Sequence, residues 1–191
     1  MRIIKITLII ITAVAITVNM ADYCKNCFVN NNDNCESIEK INNLVTFSSF
    51  VQWPSERNAK QRKIIIGMYC DNSFYKQIDS VIKVRNRIQK KYILKKCKTL
   101  SDAELCNILF IAKSEDGRIQ SILQKINQLP ILSVSDAENF CERGGMIKLY
   151  RQNKSVGFEI NLDAAQQVGL SISSQMLQIA PRLFRCKGKK E

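Results

Sequence analysis

No histidine occurs anywhere in the 191-residue chain. That absence removes Ser-His-Asp and Cys-His nucleophilic catalysis, histidine ligation of zinc, and haem attachment through a Cys-x-x-Cys-His motif. Few common hydrolytic mechanisms survive it. The paired glycines Gly144-Gly145 lead into a strand and lack both G-x-G-x-x-G spacing and a Walker lysine, so they mark a bend before a hairpin and not a phosphate cradle. Glu159 stands alone among apolar residues, and without a second carboxylate at motif spacing there is no acid–base pair. The chain reads as a non-enzyme, with no catalytic residue, no metal and no cofactor.

Acidic residues are also short, 17 against 29 Lys and Arg, for a net charge of +12 that falls to +10 once Arg2 and Lys5 are removed. The excess gathers in Arg57 to Lys63, Lys83 to Lys98 and Arg182 to Lys190. No zinc-finger spacing or basic-aromatic RNA-binding motif accompanies it, so no nucleic-acid partner is expected. A solvated face is the plain reading, with weak, salt-screened attraction to anionic headgroups or an acidic partner behind it.

Long apolar runs are confined to Ile6 to Val18, which follows Arg2 and Lys5 and precedes the small residue Ala21. That is the layout of a signal peptide, residues 1–21, and the run is shorter than the roughly 20 apolar residues of a membrane-spanning helix. Contact with the membrane is thus expected only in transit, and the mature chain is expected in the periplasm. No lipoprotein signature precedes Cys24. Eight cysteines, an even number, fit an oxidising compartment in which most are bridged.

Residues 22–35 form a polar arm carrying Cys24, Cys27 and Cys35, expected to be ordered only where a disulfide holds it. A helix from Glu36-Ser37 places Ile38, Ile41, Leu44, Val45 and Phe47 at helical spacing and ends at Trp53-Pro54. Trp53 is expected as a core anchor. Strands follow at Lys63 to Cys70, Tyr92 to Leu94, Asn107 to Ala112 and Pro130 to Val134. Between them lie amphipathic helices through Phe74, Ile78, Val81 and Ile82, and through Ile119, Ile122, Leu123, Ile126 and Leu129. Alternating strands and helices imply parallel pairing with right-handed crossovers. Period-two alternation on both sides of Arg151 to Ser155 adds an antiparallel hairpin, and Asn161 or Asp163 can cap the helix opening at Ala164-Ala165. A last helix runs from Ser173 to Phe184, before a basic tail at 185–191. The expected fold for 36–184 is an α/β, three-layer, mostly parallel flavodoxin-like sheet with that hairpin added.

Cys24-x-x-Cys27 has the spacing of a thiol–disulfide exchange pair, but it precedes the first helix in a polar arm, away from the strand-to-helix junction that lowers such thiols' pKa. A structural disulfide is preferred. Joining Cys186 or Cys141 in a thiolate metal site is the minor option. If Lys63–Cys70 and Tyr92–Cys97 are neighbouring parallel strands, Cys70 and Cys97 fall together at the carboxyl edge, and a Cys70–Cys97 bridge is expected.

The order of Phe50-Val51-Gln52-Trp53-Pro54, the Cys106 strand, Pro130 to Asp136, Gly144-Gly145, Phe158-Glu159-Ile160-Asn161 and Gly169 to Ser174 resembles the YfiR/HmsC-like family of exported bacterial proteins, over about Ile41 to Ala180. The resemblance implies a periplasmic protein that binds the periplasmic sensor region of a membrane-bound diguanylate cyclase, inhibits it and lowers cyclic di-GMP. It also implies dimers. Cys106 and Cys141 match family cysteine positions, but the partners that some relatives place in the first strand and the hairpin are here Gly67 and Lys148, so neither family bridge can form as such. Cys106 then reads as a buried free thiol, and Cys141 has the amino-terminal arm or Cys186 as candidate partners. A sensor histidine kinase is an alternative target. Two other functions compete: a periplasmic small-molecule-binding module using the sheet edge at Cys70, Asp71, Asn72 and the loop after Ala112, and a thiol–disulfide oxidoreductase using Cys24 and Cys27.

Overall fold

The central strands are apolar on both faces, and in the computed structural model they lie between two helical layers as such strands must. The structure describes residues 32–54, 63–89, 91–153 and 155–184. The chain divides into two units after Ser37. Of the first, residues 32–37 open helix α1 and the rest lies outside the described residues. The expected signal peptide, most of the polar arm and the basic tail fall there too.

Helix α1 (Asn32–Phe50) leads into β1 (Val51–Gln52). Then come β2 (Ile64–Tyr69), α2 (Asn72–Gln89), β3 (Tyr92–Lys96), α3 (Leu100–Ala103), β4 (Ile108–Ile111), a 3-10 turn at Lys113–Glu115, α4 (Asp116–Ile126) and β5 (Leu132–Ser135). The hairpin strands β6 (Ile147–Gln152) and β7 (Ser155–Asn161) follow, then α5 (Leu162–Gln167), β8 (Ser171–Ile172), α6 (Ser174–Ile179) and β9 (Arg182–Phe184). The main sheet has the order β3-β2-β4-β5-β6-β7-β9. Its first five strands are parallel, and in chain order they run 2-1-3-4-5, the flavodoxin-like arrangement. β6 and β7 pair antiparallel from Ile147↔Ile160 to Gln152↔Ser155, and β9 returns parallel to β7. The strands pair closer to the turn than the sequence suggested, as far as Gln152↔Ser155, with Asn153 at φ 55, a left-handed conformation that Asn tolerates.

Side-chain alternation along β2 and β4 divides the interior into two cores. Ile66, Met68, Ile108 and Phe110 face α1 and α2, packing on Ile41, Leu44, Phe47, Ile78 and Ile82. Tyr69, Leu109 and Ile111 face the other way onto Ile119, Ile122, Leu123 and Ile126 of α4. The helical faces read from the sequence are the ones turned to these cores, with Phe74, Val81 and Leu129 only partly buried.

Two terminal assignments are corrected. α1 stops at Phe50, and Val51–Gln52 is extended, paired antiparallel with β8. The residue before a proline is pushed out of the α region, so Trp53 cannot sit in a helix ahead of Pro54. The same restriction acts at Ala180, whose ψ is 117 before Pro181. The expected final helix therefore ends at Ile179, and Arg182–Phe184 becomes a strand.

Candidate functional site

The bend at Gly144-Gly145 and the end of the hairpin frame one polar cluster. Gly144 has φ +95, a conformation that glycine adopts without a steric penalty. Gly145 lies against the ring of Phe140: a Cβ there would sit 2.2 Å from Cε1 and 2.3 Å from Cδ1. Phe140 is fully buried.

Asn161 ties this bend to α5. Its Oδ1 accepts from the Ala164 backbone at 3.1 Å, capping the helix, while its Nδ2 donates to Cys141 O at 2.9 Å. Asp163, the other candidate cap, lies inside α5. Loss of a cap and of a buried hydrogen bond together predicts that Asn161→Ala destabilises by about 2 kcal/mol. Asn161→Asp keeps the cap acceptor and is expected to fall between the wild type and Asn161→Ala in urea unfolding; equal stability of all three would refute the role.

Glu159 is buried in β7 with its carboxylate 3.3 Å from Arg182 of β9. It stands opposite Lys148, which reaches Glu138 at 2.7 Å. These charges fasten strands and loops together. Trp53 is buried in the core on the α1 side, as expected, and the Pro54 ring lies over Gly169, where a Cβ would be 3.2 Å from Pro54 Cγ.

The side chains of four cysteines, Cys70, Cys97, Cys106 and Cys141, are described, and all four are buried. The expected Cys70–Cys97 bridge is corrected by the register. Met68 pairs with Lys96, so Cys97 comes beside Tyr69, and its amide donates to Met68 O at 2.9 Å. Cys70 belongs to the core on the α1 side and Cys97 to the core on the α4 side. Alternation of side chains along a strand makes one residue of offset enough to separate them. Cys97 instead has Cys106 as its neighbour, with the two Sγ atoms 4.0 Å apart. Both crowd the bare backbone of Gly67, where a Cβ would stand 2.3 Å from Cys106 Sγ and 3.0 Å from Cys97 Sγ.

The thiols differ in character. Burial, reinforced by Asp71, pushes Cys70 up to about 12. Burial and Glu159 do the same for Cys141, whose thiol lies 3.8 Å from Glu159 O and 3.9 Å from Met146 O. Such thiols are inert at neutral pH. Cys97 is lowered instead, chiefly by a hydrogen bond from Cys106 that outweighs its desolvation. Cys24, Cys27 and Cys186 lie outside the described residues, as does the side chain of Cys35. Sequence reasoning missed the Cys97–Cys106 proximity, although a glycine inside the strand Ile64–Tyr69 is itself a sign that something approaches closely.

At the carboxyl ends of β2 and β4, where the strand order reverses, Asp71 caps α2 through the Phe74 amide at 2.8 Å. Asp136, from the loop after β5, binds the Lys113 amide at 2.7 Å and the Lys40 ammonium of α1 at 2.7 Å. Lys96 meets the Asn72 side chain. Among the described residues, no group of three or more Cys, Asp or Glu is placed to hold a metal ion, and no helix is long and apolar enough to cross a membrane.

The strand order and the added hairpin define a flavodoxin-like α/β domain extended on one side by antiparallel pairing. Residues 39–181 match the family model described as YfiR/HmsC-like, and the chain belongs to that family. Among solved structures, a conserved domain protein from Vibrio cholerae O1 biovar eltor is similar at 15% identity with a TM-score of 0.50, covering 69% of this chain and 60% of that one. The ABC domain in complex with L-Trp from Streptococcus pneumonia matches at 11% identity and a TM-score of 0.44, over 64% of this chain and 55% of that one. The chain thus spans 60% of the length of the first of these, and that likeness extends to the fold alone.

Proposed function

We propose that this protein is an exported, non-enzymatic regulator that binds and inhibits the periplasmic sensor region of a membrane-bound signalling protein, with a diguanylate cyclase as the first candidate. The observation that carries this reading is the family match over 39–181. The apolar run after Arg2 and Lys5 supports export, and the lack of histidine argues against most hydrolytic chemistry. Control of this kind is a coupling of binding to a two-state sensor: the regulator must hold the inactive state more tightly than the active one for a signal to cross the membrane. A homodimer is the form that the family resemblance favours.

The test is recovery of the tagged protein from detergent-solubilised envelope of its own cells, alongside cyclic di-GMP measured with and without the gene. A co-purified diguanylate cyclase and a severalfold rise in cyclic di-GMP on deletion are expected. A histidine kinase in its place would move the target and keep the mode of action. No membrane protein recovered, with unchanged cyclic di-GMP, would end the reading. The alternative of a small-molecule-binding sensor draws on the strand order, because open α/β sheets bind ligands where that order reverses, here between β2 and β4. The exchange-enzyme alternative at Cys24 and Cys27 is tested by insulin reduction.

A further inference from the structure

Two strands and a loop bring three residues together at one point of the α4-side core: Gly67 in β2, Cys97 just past β3 and Cys106 just ahead of β4. The thiols are 5% and 0% exposed and their sulfurs 4.0 Å apart. Gly67 is what makes this possible, since any Cβ there would fall within 2.3 Å of one sulfur and 3.0 Å of the other. A disulfide needs sulfurs at about 2.05 Å, so the two side chains must rotate toward each other over the open backbone of Gly67 to form one. Cys70 is turned into the opposite core, and Cys141 is held behind the hairpin at Glu159 O.

We propose that Cys97 and Cys106 are joined by a disulfide in the mature protein, a cross-link that ties the edge strand β3 to the entry of the central strand β4 across Gly67. The bridge encloses α3, Leu100–Ala103, in a short covalent loop. It forms at the expense of the disulfide of a dithiol oxidant or of oxidised glutathione. The Cys97 thiolate attacks that disulfide and releases one reduced thiol. Cys106 then attacks the Cys97 sulfur of the mixed disulfide and releases the second. Two protons and two electrons leave the protein, and the oxidant gains both. Oxidation takes place while the chain is still open, because the folded core shields both sulfurs. Once closed, the bond is structural and resists reductant until the protein unfolds. The proposal rests on the exported location proposed above only for its supply of oxidant.

The experiment has two arms on the full chain. Protein taken from its native compartment is quenched in acid, alkylated in denaturant and digested without reductant. Reduced, purified protein is refolded in a glutathione redox buffer and treated the same way. Mass spectrometry is expected to find the Cys97 and Cys106 segments joined in both arms, with Cys70 alkylated. A bond in the refolding arm alone shows that the two cysteines can pair but overturns the bridge in the mature protein, and it counts against export. Both thiols alkylated in both arms, or either joined to another cysteine, overturns the proposal. The Cys97→Ser/Cys106→Ser double variant is expected to lower Tm by about 5–10 °C. Wild type that is unfolded, reduced and refolded in reductant should melt at the same value, and the variant's Tm should be unchanged by that treatment; no effect of the treatment on the wild type likewise overturns the proposal.

Discussion

Asp136→Ala is expected to lower stability by about 3 kcal/mol, which for a chain of this size is a fall in Tm of roughly 6–12 °C. The carboxylate holds the Lys40 ammonium at 2.7 Å, both side chains being 11% exposed, and also accepts from the Lys113 amide at 2.7 Å. Truncation strips a largely desolvated ammonium of this partner, while the Lys113 amide stays within reach of solvent, so the penalty is mostly that of a buried charge. The control is Lys40→Met/Asp136→Leu, which removes both charges and keeps apolar volume. It is expected to be closer to the wild type than Asp136→Ala is, because an ion pair out of water returns little over an apolar pair of the same size. Urea unfolding of the set decides: Asp136→Ala within 0.5 kcal/mol of the wild type, as at ordinary surface sites, would show that the contact does not hold α1 to the sheet.

The other large effect is at the bend. Phe140→Ala is expected to cost about 3–5 kcal/mol, through lost burial and the cavity left in the core on the α4 side. Gly145→Ala does the opposite, forcing a Cβ to within 2.2 Å of a ring that is fully buried and has no room to yield. Overpacking of this kind costs about 1–3 kcal/mol. Because one contact produces both effects, they do not add. Gly145→Ala/Phe140→Leu replaces the ring with a shorter side chain that leaves space for the new methyl, and is expected to be at least about 1 kcal/mol more stable than the sum of Gly145→Ala and Phe140→Leu, each measured alone, predicts. Simple additivity in that cycle would rule out the close approach as the reason for glycine.

These sites differ in how much of them the sequence discloses. The strand at Ile108–Ile111, the helix at Asp116–Ile126 and the hairpin around Asn153 are visible because their periodicity is local and uninterrupted. Asn161 is readable as a cap for the same reason. The Lys40–Asp136 pair joins residues 96 apart in the chain, and no local pattern announces it. The cysteines show the limit most sharply: Cys70 and Cys97 directly follow the neighbouring strands β2 and β3, yet a single step of register decides which core each enters, and register is set by non-local packing. Helical spacing in Ser173 to Phe184 concealed β9, even though Pro181 was in plain view as a stop.

The pairing of Val51↔Ile172 and Gln52↔Ser171 has a consequence for how the molecule is made. A ribosome finishes the first of these segments long before the second, so Val51–Gln52 has no strand partner until Ser171–Ile172 is made, whereas α1 can already pack on β2 and β4. Closing so wide a loop comes late and is entropically dear. A polypeptide cut short before Ser171 therefore never acquires the strand that pairs with Val51–Gln52.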